Sequence, residues 1–185
     1  INNIKVSKSD SLKLPFTDKK FDFVILNGVL EWLGHEGSFV ASTGYTFDDE
    51  DMNFKKNIDP RELQILSLKE VNRVLKDNGV CITAIENRYS YVYFKGAKDD
   101  HTGVWGTNLV PRKLANYIMK IKKNSRYSTY TYSKKGYGKL FSQSSFNSNY
   151  FYGVFPTYEI PKSIFPLKSN MIKFFHESQF YYKSS

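Results

Sequence analysis

The sequence predicts a mixed α/β fold organised on a parallel sheet, and three observations predict it. Two compact apolar runs, Phe21-Asp22-Phe23-Val24-Ile25-Leu26 and Val80-Cys81-Ile82-Thr83-Ala84-Ile85, have the length and composition of buried parallel strands. A helix start stands between them at Asp59-Pro60-Arg61-Glu62, with Asp as N-cap and Pro at the first helical position. Parallel strands joined by a covering helix are the simplest arrangement of such a series.

Taken in order, Ile4-Lys5-Val6 is a short alternating strand candidate, which makes the first half read strand, strand, helix, strand. Ser9-Asp10-Ser11-Leu12 is a loop, and Leu14-Pro15-Phe16 follows, where proline blocks a helix. Asn27-Gly28 ends the next strand, and Val29 to Leu33 starts a short helix or turn. Gly34 to Pro60 is a long irregular stretch, of a length usually tied to function or mobility. The helix from Pro60 carries Leu63, Leu66, Val71, Val74 and Leu75, with one slip in spacing near Ser67. Asn78-Gly79 is expected to close it, Gly79 taking the left-handed position. Tyr91 to Thr107 reads as a glycine- and aromatic-rich loop. Pro111 to Lys122 reads as a helix with Leu114, Ile118 and Ile121 on one face. Ser133 caps a further helix through Phe141, burying Tyr137, Leu140 and Phe141. Tyr150 to Phe155 is strand-like, and Ile172 to Tyr182 is aromatic and ambiguous.

With 185 residues and 41% hydrophobic content, the chain has enough apolar surface for one cored domain but not comfortably two. It contains no apolar run long enough for a transmembrane helix. Ile1-Asn2-Asn3 carries neither an initiator Met nor a basic-then-apolar leader, so the chain is expected to be a fragment without a signal peptide. Cys81, the single cysteine, excludes an internal disulfide and reads as an inert buried thiol, which suits a cytoplasmic location.

The net charge of +9 is unevenly distributed. Asp48, Asp49, Glu50 and Asp51 form an acidic run, whereas His101 to Tyr158 holds no Asp or Glu beside Arg112, Lys113, Lys120, Lys122, Lys123, Arg126, Lys134, Lys135 and Lys139. Such a field is either a solvated lysine-rich surface or an attractor for an anionic partner.

Four segments in sequence carry a family resemblance. They are Ser9-Asp10-Ser11-Leu12, Leu14-Pro15-Phe16 through Phe21-Asp22-Phe23-Val24, Asn27-Gly28-Val29-Leu30-Glu31-Trp32, and Glu70-Val71-Asn72-Arg73-Val74-Leu75-Lys76-Asp77-Asn78-Gly79-Val80. Together, over Ile4 to Asn87, they resemble the type-11 family of class I S-adenosylmethionine-dependent methyltransferases. Glu86-Asn87-Arg88-Tyr89 with Asp99-Asp100-His101-Thr102-Gly103 and Leu109-Val110-Pro111-Arg112 is similar to a group associated with bacterial surface-polysaccharide gene clusters.

The resemblance implies a partial Rossmann-like class I methyltransferase sheet, lacking its N-terminal strands and glycine-rich loop. Gly103, Gly106, Gly136 and Gly138 lie too far along the chain to supply that loop. Residues 1–185 would then be the C-terminal part of a single domain, with 1–90 the core remnant and 91–185 the substrate-side and C-terminal elements. A sheet lacking strands and a helix is expected to expose an apolar edge and face. The implied cofactor is S-adenosylmethionine, and the isolated fragment is expected to be inactive.

By the same resemblance, Asp10 accepts from the adenine amino group, flanked by Ser11 and Leu12, while Asn27 and Gly28 meet the cofactor near its methionine portion. Glu86, Asn87, Arg88 and Tyr89 leave the next strand on the ligand-binding edge of an open α/β sheet, on the substrate side. His101, with Asp99 and Asp100 beside it, is the candidate general base, since imidazole titrates near neutral pH. Plain structural alternatives stand beside each: a local turn at Asp10, a strand-ending turn at Asn27-Gly28, a surface loop position for His101. Trp32 is read as core. Three scattered histidines, His35, His101 and His176, are read as holding no metal.

The function expected is methyl transfer to a small-molecule or sugar-linked acceptor, anionic in character. The alternatives are a nucleic-acid methyltransferase, with Tyr127, Tyr130, Tyr132 and Tyr137 stacking on bases, or a non-catalytic methyltransferase-like binding module.

Overall fold

A computed structural model describes residues 4–7, 9–34 and 58–167. The acidic run at Asp48 to Asp51, His35, His176, most of the Gly34–Pro60 stretch and the aromatic segment Ile172 to Tyr182 lie outside the described residues.

The described residues form a mixed α/β structure. Strand β1 (Phe21–Asn27) pairs in parallel with β2 (Leu75–Ala84), and helix α1 (Pro60–Val74) makes the crossover. A 3-10 turn over Leu30–Trp32 follows β1. After β2 come the short helix α2 (Tyr91–Phe94), α3 (Arg112–Lys123) and α4 (Lys134–Gln143). The chain divides into two compact units, Ile1–Asn147 and Ser148–Ser185. Within the second, β3 (Tyr152–Pro156) and β4 (Pro161–Pro166) form an antiparallel hairpin. No helix among the described residues is long and apolar enough to cross a membrane.

Helix α1 begins where its local chemistry dictates. The Asp59 side chain accepts a hydrogen bond from the Arg61 amide at 2.8 Å, and Pro60 occupies the first turn, where its missing N–H costs nothing. Its inward face is Leu63, Gln64, Ser67, Leu68, Val71 and Val74, so the slip near Ser67 is filled by small or hydrogen-bonded polar side chains. The helix ends at Val74, not at Gly79. Leu75 is already extended (φ −75°, ψ 141°) and pairs with Phe21, and the register shifts before Phe23 meets Val80. Lys76 to Gly79 therefore lie in an irregular start to β2, and strand pairing overrides the helix-stop signal of Asn78-Gly79.

Ile4, Lys5 and Val6 form no strand; Ile4 and Val6 are 73% and 91% exposed. The order is thus strand, helix, strand. The sheet is not buried on both faces either, because Phe23, Ile25, Val80 and Ile82 alternate outward and are largely exposed. Val24, Leu26 and Cys81 point to the half-buried side. Burial pushes the Cys81 thiol above its ordinary pKa against a weaker pull from Thr83, as suits an inert thiol.

The apolar core of the second half gathers Val104, Ala115, Met119, Tyr127 and Tyr130, with Val110, Ile118 and Tyr132 packed against it. Helix α3 presents Ala115, Ile118 and Met119 inward, while Leu114 and Ile121 of the expected apolar face are turned to solvent. Helix α4 starts at the Ser133 cap, whose hydroxyl accepts from the Gly136 amide at 3.3 Å, and buries Tyr137 and Leu140.

Candidate functional site: a buried histidine among carboxylates

The C-terminal edge of the β1–β2 pair is where the chain turns out of the sheet. Asn27 ends β1, and Gly28 leaves it at φ 60° while its amide still donates to Ala84 at 2.9 Å. That left-handed conformation suits glycine and leads into the 3-10 turn. Gln64 of α1, itself 1% exposed, fastens the turn: its Nε2 donates to the carbonyls of Leu30 (3.0 Å) and Tyr130 (2.8 Å), and its Oε1 accepts from the Tyr132 hydroxyl (2.7 Å). Gly34 allows the close approach that follows, since a Cβ there would meet Pro60 Cβ at 2.5 Å and the Ser128 carbonyl at 2.7 Å. The turn so held carries Glu31, whose side chain is 1% exposed.

From the other side, Lys98 and Trp105 bridge a tight loop built around Asp99. Its carboxylate accepts from the His101 amide (3.0 Å), from His101 Nδ1 (3.2 Å) and from the Thr107 hydroxyl (2.8 Å). Asp99 and Thr107 are fully buried. His101 is thereby aimed inward, and its side chain is 4% exposed. Nε2 stands 3.8 Å from Glu31 Oε1 and 3.7 Å from Glu86 Oε2, and the ring lies 4.9 Å from Trp32. Glu86 sits just past β2, its carbonyl accepting from the buried Tyr137 hydroxyl at 3.0 Å.

Burial alone disfavours a charged imidazole. The Asp99 hydrogen bond and the carboxylates of Glu31 and Glu86 outweigh it and push the pKa of His101 up to about 10. Against the opposing effect of its own burial, hydrogen bonds from the His101 ring, the Thr107 hydroxyl and the His101 amide hold Asp99 below the usual carboxylate range. A general base needs a neutral imidazole, whereas these surroundings favour the protonated one. His101 is not a surface loop residue. One donor atom each from Glu31, Glu86 and His101 fall within 4.8 Å of one another, a grouping that three scattered histidines do not suggest.

The remaining expected site residues are placed as follows. Asp10 makes an Asx turn, its Oδ1 accepting from the Leu12 amide at 2.9 Å and from the Ser11 hydroxyl at 3.5 Å. The next stretch is clamped from α1. Glu70 accepts from the Leu14 amide at 2.7 Å, while the Arg73 guanidinium donates to the carbonyls of Leu14 (3.2 Å) and Phe16 (2.9 Å) and to Asp18 (2.6 Å). Asn87 accepts from the Tyr89 amide at 2.9 Å. Arg88 donates to the carbonyls of Asn108 and Val110, so its guanidinium serves the fold, and burial first, then Arg112, lowers its pKa. Tyr89 is half exposed. The Asp100 carboxylate accepts from Tyr93 at 3.4 Å.

The tyrosines expected to stack on bases are core residues. Tyr127, Tyr130 and Tyr137 are buried, Tyr132 is bonded to Gln64, and the Arg112 guanidinium lies 4.0 Å over the Tyr130 ring. Glu31 is the residue that sequence reasoning missed. Its signal was an acid inside the apolar run Val29-Leu30-Glu31-Trp32-Leu33, where a buried charge needs a partner. No family model, curated protein or solved structure matches this chain.

Proposed function

We propose that this chain is part of an S-adenosylmethionine-dependent methyltransferase with a Rossmann-like sheet, acting on a small-molecule or sugar-linked acceptor. The observation that carries the reading is the convergence of Gly28, Glu31 and Glu86 at the C-terminal edge of a parallel strand pair, where open α/β sheets bind their ligands. The residues present suit part of the cofactor's site. Asp10 orders the Ser11-Leu12 backbone in a tight turn, and Gly28 has no side chain at the edge where the cofactor's methionine portion would lie. The reading also requires a glycine-rich segment outside these 185 residues.

The cofactor supplies an electrophilic methyl group, so the protein's task is to align an acceptor and take its proton. In this reading the acceptor lies on the side of His101, Glu86 and Glu31, and its proton passes to the Glu86 carboxylate, which the protonated His101 ring faces at 3.7 Å. Incubating the full-length protein with labelled S-adenosylmethionine and a panel of sugar nucleotides, lipid-linked sugars and RNA tests the reading. Label transferred to a sugar-linked or other small acceptor is expected. Label on RNA alone, or no transfer with cofactor bound, contradicts it.

A further inference from the structure

Glu31 presents a buried carboxylate whose oxygens both lack a hydrogen-bond partner among the described residues. Its Oε1 faces His101 Nε2 at 3.8 Å, beyond hydrogen-bond length. A carboxylate taken out of water needs compensation, and here three carboxyl groups (Glu31, Glu86 and Asp99) surround one imidazole. A single imidazolium leaves that cluster with excess negative charge, which a divalent cation would balance more fully.

We propose that Glu31, Glu86 and His101 bind one divalent first-row metal ion of the Mn²⁺-to-Zn²⁺ series, through a carboxylate oxygen of each glutamate and Nε2 of the histidine. The spacing fits. Three donors separated by 3.7, 3.8 and up to 4.8 Å share a point about 2.4 Å from each, against roughly 2.0–2.2 Å for nitrogen and oxygen ligands on Zn²⁺, so a contraction of a few tenths of an ångström closes the site. Two carboxylates and an imidazole are a mixed hard and borderline donor set, which favours this series over Ca²⁺ or Mg²⁺.

The surroundings have the form that supports a ligating histidine. Asp99 can only accept, so Nδ1 keeps its hydrogen, and Nε2 is the nitrogen directed at the glutamates and releases its proton to solvent as the ion binds. Asp99 is in turn held by Thr107 and by the His101 amide, which fixes the ring before any ion arrives. Glu86 is 21% exposed, while Glu31 and His101 are 1% and 4% exposed, so the ion would enter from the Glu86 side and keep water on that face. The proposal does not depend on methyl transfer; either can fail while the other stands.

The test uses the full chain, chelator-treated, with Trp105→Phe leaving Trp32 as the single tryptophan reporter beside the His101 ring. Zn²⁺ is titrated by calorimetry, and Mn²⁺ is followed by quenching of Trp32 fluorescence. One ion per chain is expected, with saturable quenching and a raised melting temperature. Glu31→Gln, which keeps the shape and removes the charge, is expected to weaken binding by about tenfold or more. Glu62→Gln, on the exposed start of α1, is expected to bind as the parent does. If Glu31→Gln does not fold, the more exposed Glu86→Gln carries the comparison. No binding by the parent, or undiminished binding by both glutamate variants, overturns the proposal.

Discussion

Asp99 accepts the Nδ1 hydrogen of His101 at 3.2 Å, and the histidine's position deep in the fold follows from that bond. The same carboxylate also receives the His101 amide and the Thr107 hydroxyl. Asp99→Ala should therefore lower unfolding free energy by about 1–3 kcal/mol, the usual cost of leaving buried donors unpaired. Urea denaturation measures it. A variant as stable as the parent would show that the network does not hold the loop.

Gln64 offers a second test, because one side chain joins three segments far apart in sequence. Gln64→Leu keeps the volume but strands the Leu30 and Tyr130 carbonyls and the Tyr132 hydroxyl. A loss of about 2–4 kcal/mol is expected in chemical denaturation, at the upper end for a single substitution. A loss below about 0.5 kcal/mol would mean that these groups find other partners.

The Glu70–Arg73 pair predicts a pH dependence. The Arg73 guanidinium, aided by the Leu14 amide and opposed by burial, holds the Glu70 carboxyl below its ordinary value. A depressed folded-state pKa gives stability that is present above the unfolded carboxylate range and is lost as pH falls through the folded value. Melting temperature should thus fall between about pH 5 and 3, and Glu70→Gln should melt lower at neutral pH with a flatter acid limb. An unchanged acid limb in Glu70→Gln would contradict the pairing.

That clamp also explains how much the sequence could disclose. The Leu14-Pro15-Phe16 turn and the Glu70-to-Arg73 helix segment stand together because Glu70 and Arg73 bind the turn's backbone directly. Helix starts at Asp59 and Ser133 were legible since capping uses residues two or three apart. The end of α1 was not, because pairing of Leu75 with Phe21 is a long-range contact. The inward face of α3 was misjudged for a related reason. Small Ala115 and flexible Met119 fit beside Tyr127, while Leu114 and Ile121 point outward. His101 and Asp99 stood out as neighbours, but Glu31 comes from a turn seventy residues earlier, and local pattern carries no sign of that approach.

Within the methyl-transfer reading, His101→Ala should lower turnover far more than cofactor affinity, because the ring lies with Glu86 and Glu31 and is separate from the Asp10 turn in sequence. Steady-state rates beside cofactor titrations make the comparison. Equal turnover would remove His101 from the reaction.

The most direct measurement is a calorimetric titration of S-adenosylmethionine into the full-length protein and its Asp10→Ala variant. The account predicts one site in the parent and binding weaker by about 1–3 kcal/mol in the variant, the cost of an unpaired donor on the adenine. No binding by the parent, or equal affinity in the two proteins, would contradict it.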